Sequence, residues 1–395
     1  MQAFSALLLD TYRQLNSQKL FWITLILSGV IVAGFAAIGI NENGVTLLWF
    51  QIGSFGGALT SDLISPATLY KQMFVNFGVG FWLGWLATIL ALVSTAGMIP
   101  SFIAGGAIEL TLSKPISRVK LFLYKFLMGL LFTALQVGVF SVACFLLIGI
   151  RGGDWQPKVF LAIPLVVLFY SYLFSICALL GLVTRSTMAA LLLTLLCWLG
   201  LFSLNAADAV MLQLKHVSIM QSETLPKRIE VQEREATRGY TVLWYQEQGL
   251  TKEQAEAEGK TPPPPTRERL REINGRLLKL DADLSEAQDD IKKWTMWSRA
   301  VFAVKTVFPK TSETTELLSR TLRKDLSGFG GDADVDAGEA PVELRNLSPR
   351  EQRELQRRIT EEIDSRSLWW VLGTSILSEA LILAICCIIF ARRDF

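Results

Sequence analysis

One histidine in 395 residues, His216, leaves the chain unable to build a histidine-based metal site, and it stands outside every apolar run, where it could not serve an intramembrane serine nucleophile. No Gly-x4-Gly-Lys-Ser/Thr loop occurs, so the chain does not hydrolyse nucleotide by itself. The GSFGG run at 53–57 lacks the Gly-x-Ser-x-Gly order of a nucleophile elbow. Cysteines are few, and Cys144, Cys177, Cys197, Cys386 and Cys387 all fall inside apolar runs, where they read as small packing residues; the adjacent pair has no metal-finger spacing. The acids Asp332, Asp334, Asp336 and Glu339 invite a calcium reading, but the stretch lacks the glycine and terminal glutamate that an EF-hand loop places at fixed positions. These absences predict a chain with no catalytic residues, no resident metal and no cofactor of its own.

What the sequence has in excess is apolar surface. At 51% hydrophobic residues and a mean hydropathy of +0.39, no single core could hide that surface from water, so a bilayer is the natural solvent. Runs of spanning length are Leu20–Ile40, Phe74–Ile99, Leu121–Ile150, Val159–Val183, the shorter Met188–Leu204, and Leu368–Phe390. The expected fold is therefore all-α and polytopic: six transmembrane helices, an N-terminal interfacial helix, and a large helical, coiled-coil-containing extracytoplasmic insertion.

Short cytoplasmic loops accumulate Lys and Arg. With the N-terminus inside, the inner segments carry Arg13, Lys19, Lys114, Arg118, Lys120, Lys125, Arg185, Arg392 and Arg393, against Lys71, Arg151 and Lys158 outside. That bias predicts both termini in the cytoplasm. The net charge of +2 carries no nucleic-acid signal.

Residues 1–19 put Phe4, Leu7, Leu8, Tyr12 and Leu15 on one helical face, as expected of a helix lying flat at the inner interface, either as an anchor or as an elbow touching a cytoplasmic partner. Residues 20–204 hold spans one to five, with a polar segment at 101–120. The loop Asn41–Lys71 is Gly- and Ser-rich but carries Leu47, Leu48, Trp49 and Phe50, and should pack on the membrane or the outer domain. Residues 205–367 turn charged and helix-forming, and 368–395 return through span six to a basic tail.

Within the insertion, Leu270, Ile273, Leu277, Leu280, Leu284, Ala287, Ile291 and Trp294 recur at 3-4 spacing over three heptads, a coiled-coil seam. The partner is either the preceding arm, folded back as an antiparallel hairpin, or the same seam in a second copy. Trp294, Trp297, Phe302 and Phe308 suit the interfacial zone.

One acid falls within a span. Glu379 shares a helical face with Ser375 and Cys386, and its burial cost requires it to face the bundle or a wet cavity. It is either a pathway or gating residue or a structural contact to Gln136 or Asn76 on other spans.

The stretch GGAIELTLSKPISRVKLFLYKFL, residues 105–127, combines a carboxylate, basic residues and a helix-breaking proline between spans two and three. Gly106, Glu109, Leu112, Ser113, Pro115, Ser117, Arg118 and Lys125 match the run that resembles the type-2 ATP-binding-cassette export permeases. The FPKTSE stretch at 308–313 is similar to the branch of multi-copper-enzyme-maturation permeases, typified by the nitrous-oxide-reductase maturation permease. The large insertion departs from that branch. The resemblance implies that Gly106, Glu109, Leu112, Ser113, Lys114, Pro115, Ser117 and Arg118 meet a separate ATPase subunit that holds ATP and Mg, that the chain lies in the cell's inner membrane, and that it pairs with a second copy or a sister permease. Lys114, Arg118 and Lys120 could alternatively hold anionic lipid headgroups. A further alternative has the outer coil acting on an envelope protein without substrate transport.

Overall fold

The computed structural model describes residues 19–41, 44–48, 50–51, 65–104, 117–249, 251–257, 259–326 and 348–392. Among the described residues, six helices are long and apolar enough to cross a membrane: α1 (Lys19–Ala37), α2 (Pro66–Pro100), α3 (Arg118–Gly152), α4 (Pro157–Thr184), α5 (Thr187–Glu247) and α11 (Trp369–Arg392). The chain thus has the architecture of a multi-pass membrane protein. The leader residues before Lys19, the GSFGG run and the acidic run lie outside the described residues.

The all-α expectation is corrected by a small antiparallel sheet of β1 (Ile38–Asn41), β2 (Gly44–Leu47) and β3 (Phe50–Gln51), in the order β1-β2-β3. The first apolar run therefore stops being helical at Ala37 instead of Ile40. Hydropathy does not distinguish a helix from a strand, whereas β-branched Ile38, Ile40, Val45 and Thr46 around Gly39 and Gly44 favour the pleated form. Tyr70 at the start of α2 donates its hydroxyl to the Ile38 carbonyl at 2.8 Å and ties the sheet to the helices.

Two compact units are present. One comprises Met1–Asn205, Lys305–Val335 and Arg366–Phe395; the other comprises Ala206–Val304 and Asp336–Ser365. In the first, α3 and α4 pack closely because Gly129 lets the Phe174 ring approach its backbone, and Phe174 in turn stacks on Phe126 with centroids 5.1 Å apart. Two pairs of polar groups inside the bundle are matched across helices: the Trp82 indole donates to the Ser28 hydroxyl at 3.1 Å, and the Thr95 and Tyr170 hydroxyls lie 2.5 Å apart. Such pairing is favoured because a bilayer core offers no water to solvate these groups. Helix α2 has π-helical turns over Phe74–Ala87, at whose end the Thr88 hydroxyl reaches back five residues to the Leu83 carbonyl. Helix α3 is capped at its start by the Ser117 hydroxyl and ends at Gly153, whose φ of 70° suits a residue without Cβ.

At the end of the bundle bearing the sheet, Lys71 donates to Asp154 at 2.5 Å. That hydrogen bond holds the Asp154 carboxyl below the usual carboxylate range, against a smaller opposing effect of burial.

The second unit contains α6 (Lys252–Ala257), α7 (Arg267–Ile273), most of α8 (Gly275–Val307) and α10 (Pro349–Asp364), together with α5 from Ala206 onward. Ile229, Ala236 and Tyr240 of α5 pack against Leu270, Leu277, Leu280 and Leu284. The arm and the seam therefore meet within one chain. The seam is not one continuous helix, however. Asn274 takes an extended conformation (φ −125°, ψ 93°), so α7 ends after Ile273 and α8 restarts at Gly275. The Asn-Gly pair explains the break: both are poor helix formers, and the Asn274 side chain instead accepts from the Arg276 N–H at 3.2 Å. Ile273 and Ile291 are half-buried, outside that core cluster.

Helix α10 begins with a capping box in which the Ser348 hydroxyl and the Glu351 carboxylate satisfy each other's backbone N–H groups; that backbone hydrogen bond, with the one from the Ser348 hydroxyl, lowers the Glu351 pKa. Leu355 and Ile359 pack on Val217 and Met220 of α5. His216 Nε2 lies 2.7 Å from a Glu362 oxygen, beside Lys215 at 2.9 Å, so the lone histidine is a helix-to-helix contact.

Candidate functional site

Two polar regions of the first unit stand out, one at each end of the bundle. At the end carrying Ser117 and Arg392, α3 and α11 are locked together. Arg118 Nη1 donates to the Ala391 carbonyl at 3.5 Å, a cation at a helix C-terminus where the helix dipole favours it. Below that contact the Phe122 and Phe390 rings are 5.8 Å apart, within a cluster that includes Ile99, Ala178, Leu182 and Cys386. Of the residues for which the resemblance implies ATPase contact, Ser117 and Arg118 stand here. Gly106, Glu109, Leu112, Ser113, Lys114 and Pro115 lie outside the described residues.

Further along α11, Glu379 is buried, with the Ser171 hydroxyl of α4 in hydrogen-bonding reach and Tyr172 beside it. Ser375, one turn earlier, is fully buried on the same face. Among the described residues no hydrogen bond joins Glu379 to Gln136 or Asn76. Asn76 is exposed, and Gln136 is buried on α3 with its amide nitrogen unpaired. The polar neighbours that the structure places at Glu379 are Ser171 and Tyr172.

At the sheet-bearing end stands a site the sequence did not single out by its chemistry. Helix α8 stops before Pro309, and α9 (Thr311–Leu326) then packs against α2 and α4, burying Leu317 and Leu318; Leu318 joins Tyr70, Phe74, Val159 and Val166 in the core. This turn carries Lys305, Lys310 and Glu313 into the interior. Glu313 pairs with Lys305 and with Arg366 Nη1, the latter at 3.5 Å, and all three side chains are largely withdrawn from solvent. Lys310 is 1% exposed. Its ammonium donates to Thr374 Oγ1 at 2.5 Å and to the Thr306 carbonyl at 3.3 Å, and lies 4.5 Å from the centre of the Trp370 ring. Its backbone N–H donates to Ser375 Oγ at 2.9 Å. Burial pushes the Lys310 pKa down to about 8, with the Glu313 charge opposing the shift and Lys305 adding to it.

Lys310 thus links α9 to the start of α11, and Ser375 connects that link to the Glu379 face one turn on. A legible signal existed in part: two lysines and a glutamate at 305, 310 and 313 flank a proline, immediately before a helix whose apolar residues Leu317 and Leu318 are adjacent. Among the described residues no group of three or more His, Cys, Asp or Glu side chains converges as metal ligands would. Known protein families, curated proteins and solved structures contain no match to this chain.

Proposed function

We propose that the chain is the membrane-spanning permease subunit of an ATP-driven export or extrusion system of the cell inner membrane, with both termini cytoplasmic. ATP and Mg would be held by a separate ABC ATPase subunit, and the chain would work beside a second copy or a sister permease in the bilayer. The observation that carries this reading is the junction at the Ser117 end. The segment 101–120 enters α3 at Ser117, and Arg118 and Phe122 join that entry to the end of α11. A push on the segment would therefore bear on two spans together, and α11 carries Glu379 and the Lys310 contact along its length.

The residues proposed to meet the ATPase are Gly106, Glu109, Leu112, Ser113, Lys114, Pro115, Ser117 and Arg118, and the N-terminal leader would receive the same push. The test is purification of the complex from native membranes in mild detergent, with and without Glu109→Lys and Arg118→Glu. An ATPase subunit should co-migrate with the wild type and be lost from the variant, while membrane insertion is unchanged. Undiminished co-purification of the variant refutes the coupling role.

A second reading has support from the helical arms of the other unit, whose packed core at Ile229, Ala236, Leu270 and Leu277 is more than a small-molecule exporter needs. In it the ATPase drives those arms to act on an envelope protein without moving substrate. Deleting 270–294 discriminates: transport retained with partner capture lost favours force transmission, and transport lost favours an exit role.

A further inference from the structure

Between the arms of the second unit lies a groove of about 670 Å³ whose charged lining is four cations and one acid. Lys227 and Arg228 come from α5; Arg276 and Lys279 come from the first turns of α8, with Asp283 one turn on. Arg228 is already matched, its Nη2 lying 3.1 Å from Glu351 Oε1. The remaining three cations have no carboxylate within ion-pair distance among the described residues. Lys227 shares a field with Glu223, but two hydrogen bonds at 3.1 and 2.9 Å commit that acid to Arg358. Asp281, the other acid of the α8 start, is taken by Arg267 and Arg271.

The placement of Arg276 and Lys279 makes the imbalance larger. Both stand at the start of a 33-residue helix whose first turn contains no acid, so the positive end of the helix dipole adds to their charge instead of offsetting it. The site is also built rather than incidental. Asn274 Nδ2 donates to Gln232 Oε1 at 3.0 Å across the two arms, beside the groove, and its Oδ1 accepts from Arg276, which fixes where α8 begins. Val231 and Leu280 give the lining an apolar part, and Leu280 belongs to the packed core. Three cations against Asp283 leave an excess of two positive charges, in a volume too large for a lone monoatomic ion.

We propose that this groove binds a phosphate-bearing ligand of at least two negative charges, a diphosphate or a phosphate monoester whose organic part lies against Val231 and Leu280. Phosphate chemistry meets the arrangement because guanidinium and ammonium donors from two helices converge on one space, and multiple acceptor oxygens can engage them together. The inference is independent of the permease reading and concerns the second unit alone.

The test uses the full-length chain purified in detergent. Inorganic pyrophosphate is titrated by calorimetry, and short-chain phosphatidic acid is titrated into the same micelles in parallel, with phosphatidylcholine as the uncharged-headgroup reference. Saturable binding to one site per chain is expected, weakened about tenfold or more by Arg276→Gln with Lys279→Gln, and strengthened several-fold by Asp283→Asn. A control pair, Lys292→Gln with Arg299→Gln, removes the same charge elsewhere on α8 and should leave affinity within about twofold. Pyrophosphate binding identifies a free phosphate ligand, and binding of phosphatidic acid alone identifies a lipid headgroup; either supports the site. No binding of either probe, or equal losses in the groove and control variants of unchanged circular dichroism, overturns it.

Discussion

Replacing Lys310 with methionine separates the cost of burying its charge from the packing of its stem. The ordinary lysine value of 10.5 falls to about 8 in the fold, a displacement worth about 3 kcal/mol between the two protonation states. Near neutral pH both folded and unfolded chains carry the proton, so the whole burial cost is present. As pH rises through about 8 the folded lysine loses its proton while the unfolded one keeps it. The unfolded state then binds more protons, and stability increases with pH until about 10.5. Between about pH 7 and about pH 9.5 the wild type should gain about 2 kcal/mol from this group alone. Methionine preserves the apolar stem against Trp370 and abolishes the titration, at the loss of the hydrogen bond to Thr374. The variant should therefore lack the alkaline rise and be at least as stable as the wild type at neutral pH. Denaturant unfolding in detergent, followed by tryptophan fluorescence at several pH values, measures the difference between the two proteins and cancels groups common to both. Parallel pH profiles would refute the argument that Lys310 is held in a desolvated site.

Glu313→Gln leaves Lys305 and Arg366 buried around a neutral amide and should cost about 3–5 kcal/mol in the same unfolding assay, with Lys305→Met on that background recovering part of the loss; an unchanged midpoint would contradict the buried triad. Gly129→Ala would place its Cβ 2.5 Å from the Phe174 ring and should cost about 1–3 kcal/mol, whereas Gly138→Ala on the same helix meets nothing within 4 Å and should not destabilise; equal effects would remove the close α3–α4 approach as the cause.

The spans were legible because hydropathy over about 20 residues is a property of the chain alone. Each of the six apolar runs overlaps a helix, with ends displaced where a local signal competed: β-branched residues turned 38–41 into a strand, and α5 ran on to Glu247 through Pro226. Of the heptad residues at 270–294, Leu270, Leu277, Leu280 and Leu284 pack with the preceding arm, but periodicity cannot register a break that preserves spacing. Asn274 and Gly275 interrupt the helix without shifting the apolar pattern. Glu379 was recognisable as a costly acid in an apolar run, yet its neighbours Ser171 and Tyr172 are ordinary residues some 200 positions away in sequence.

Composition and hydropathy were enough to determine a multi-pass helical chain with a charged insertion, because those properties sum over residues without reference to contacts. The tertiary structure alone decided which charges became buried. Lys305, Lys310 and Glu313 read in sequence as part of a polar insertion, and they are withdrawn from solvent because Pro309 ends α8 and the apolar side of α9 packs into the bundle, drawing its charged neighbours in with it. The same holds for the basic groove: Lys227 and Lys279 are distant surface lysines until Asn274 and Gln232 bring their helices together. Charge is written in the sequence, but its cost and its use depend on how far water is excluded and which opposite charge folding places beside it.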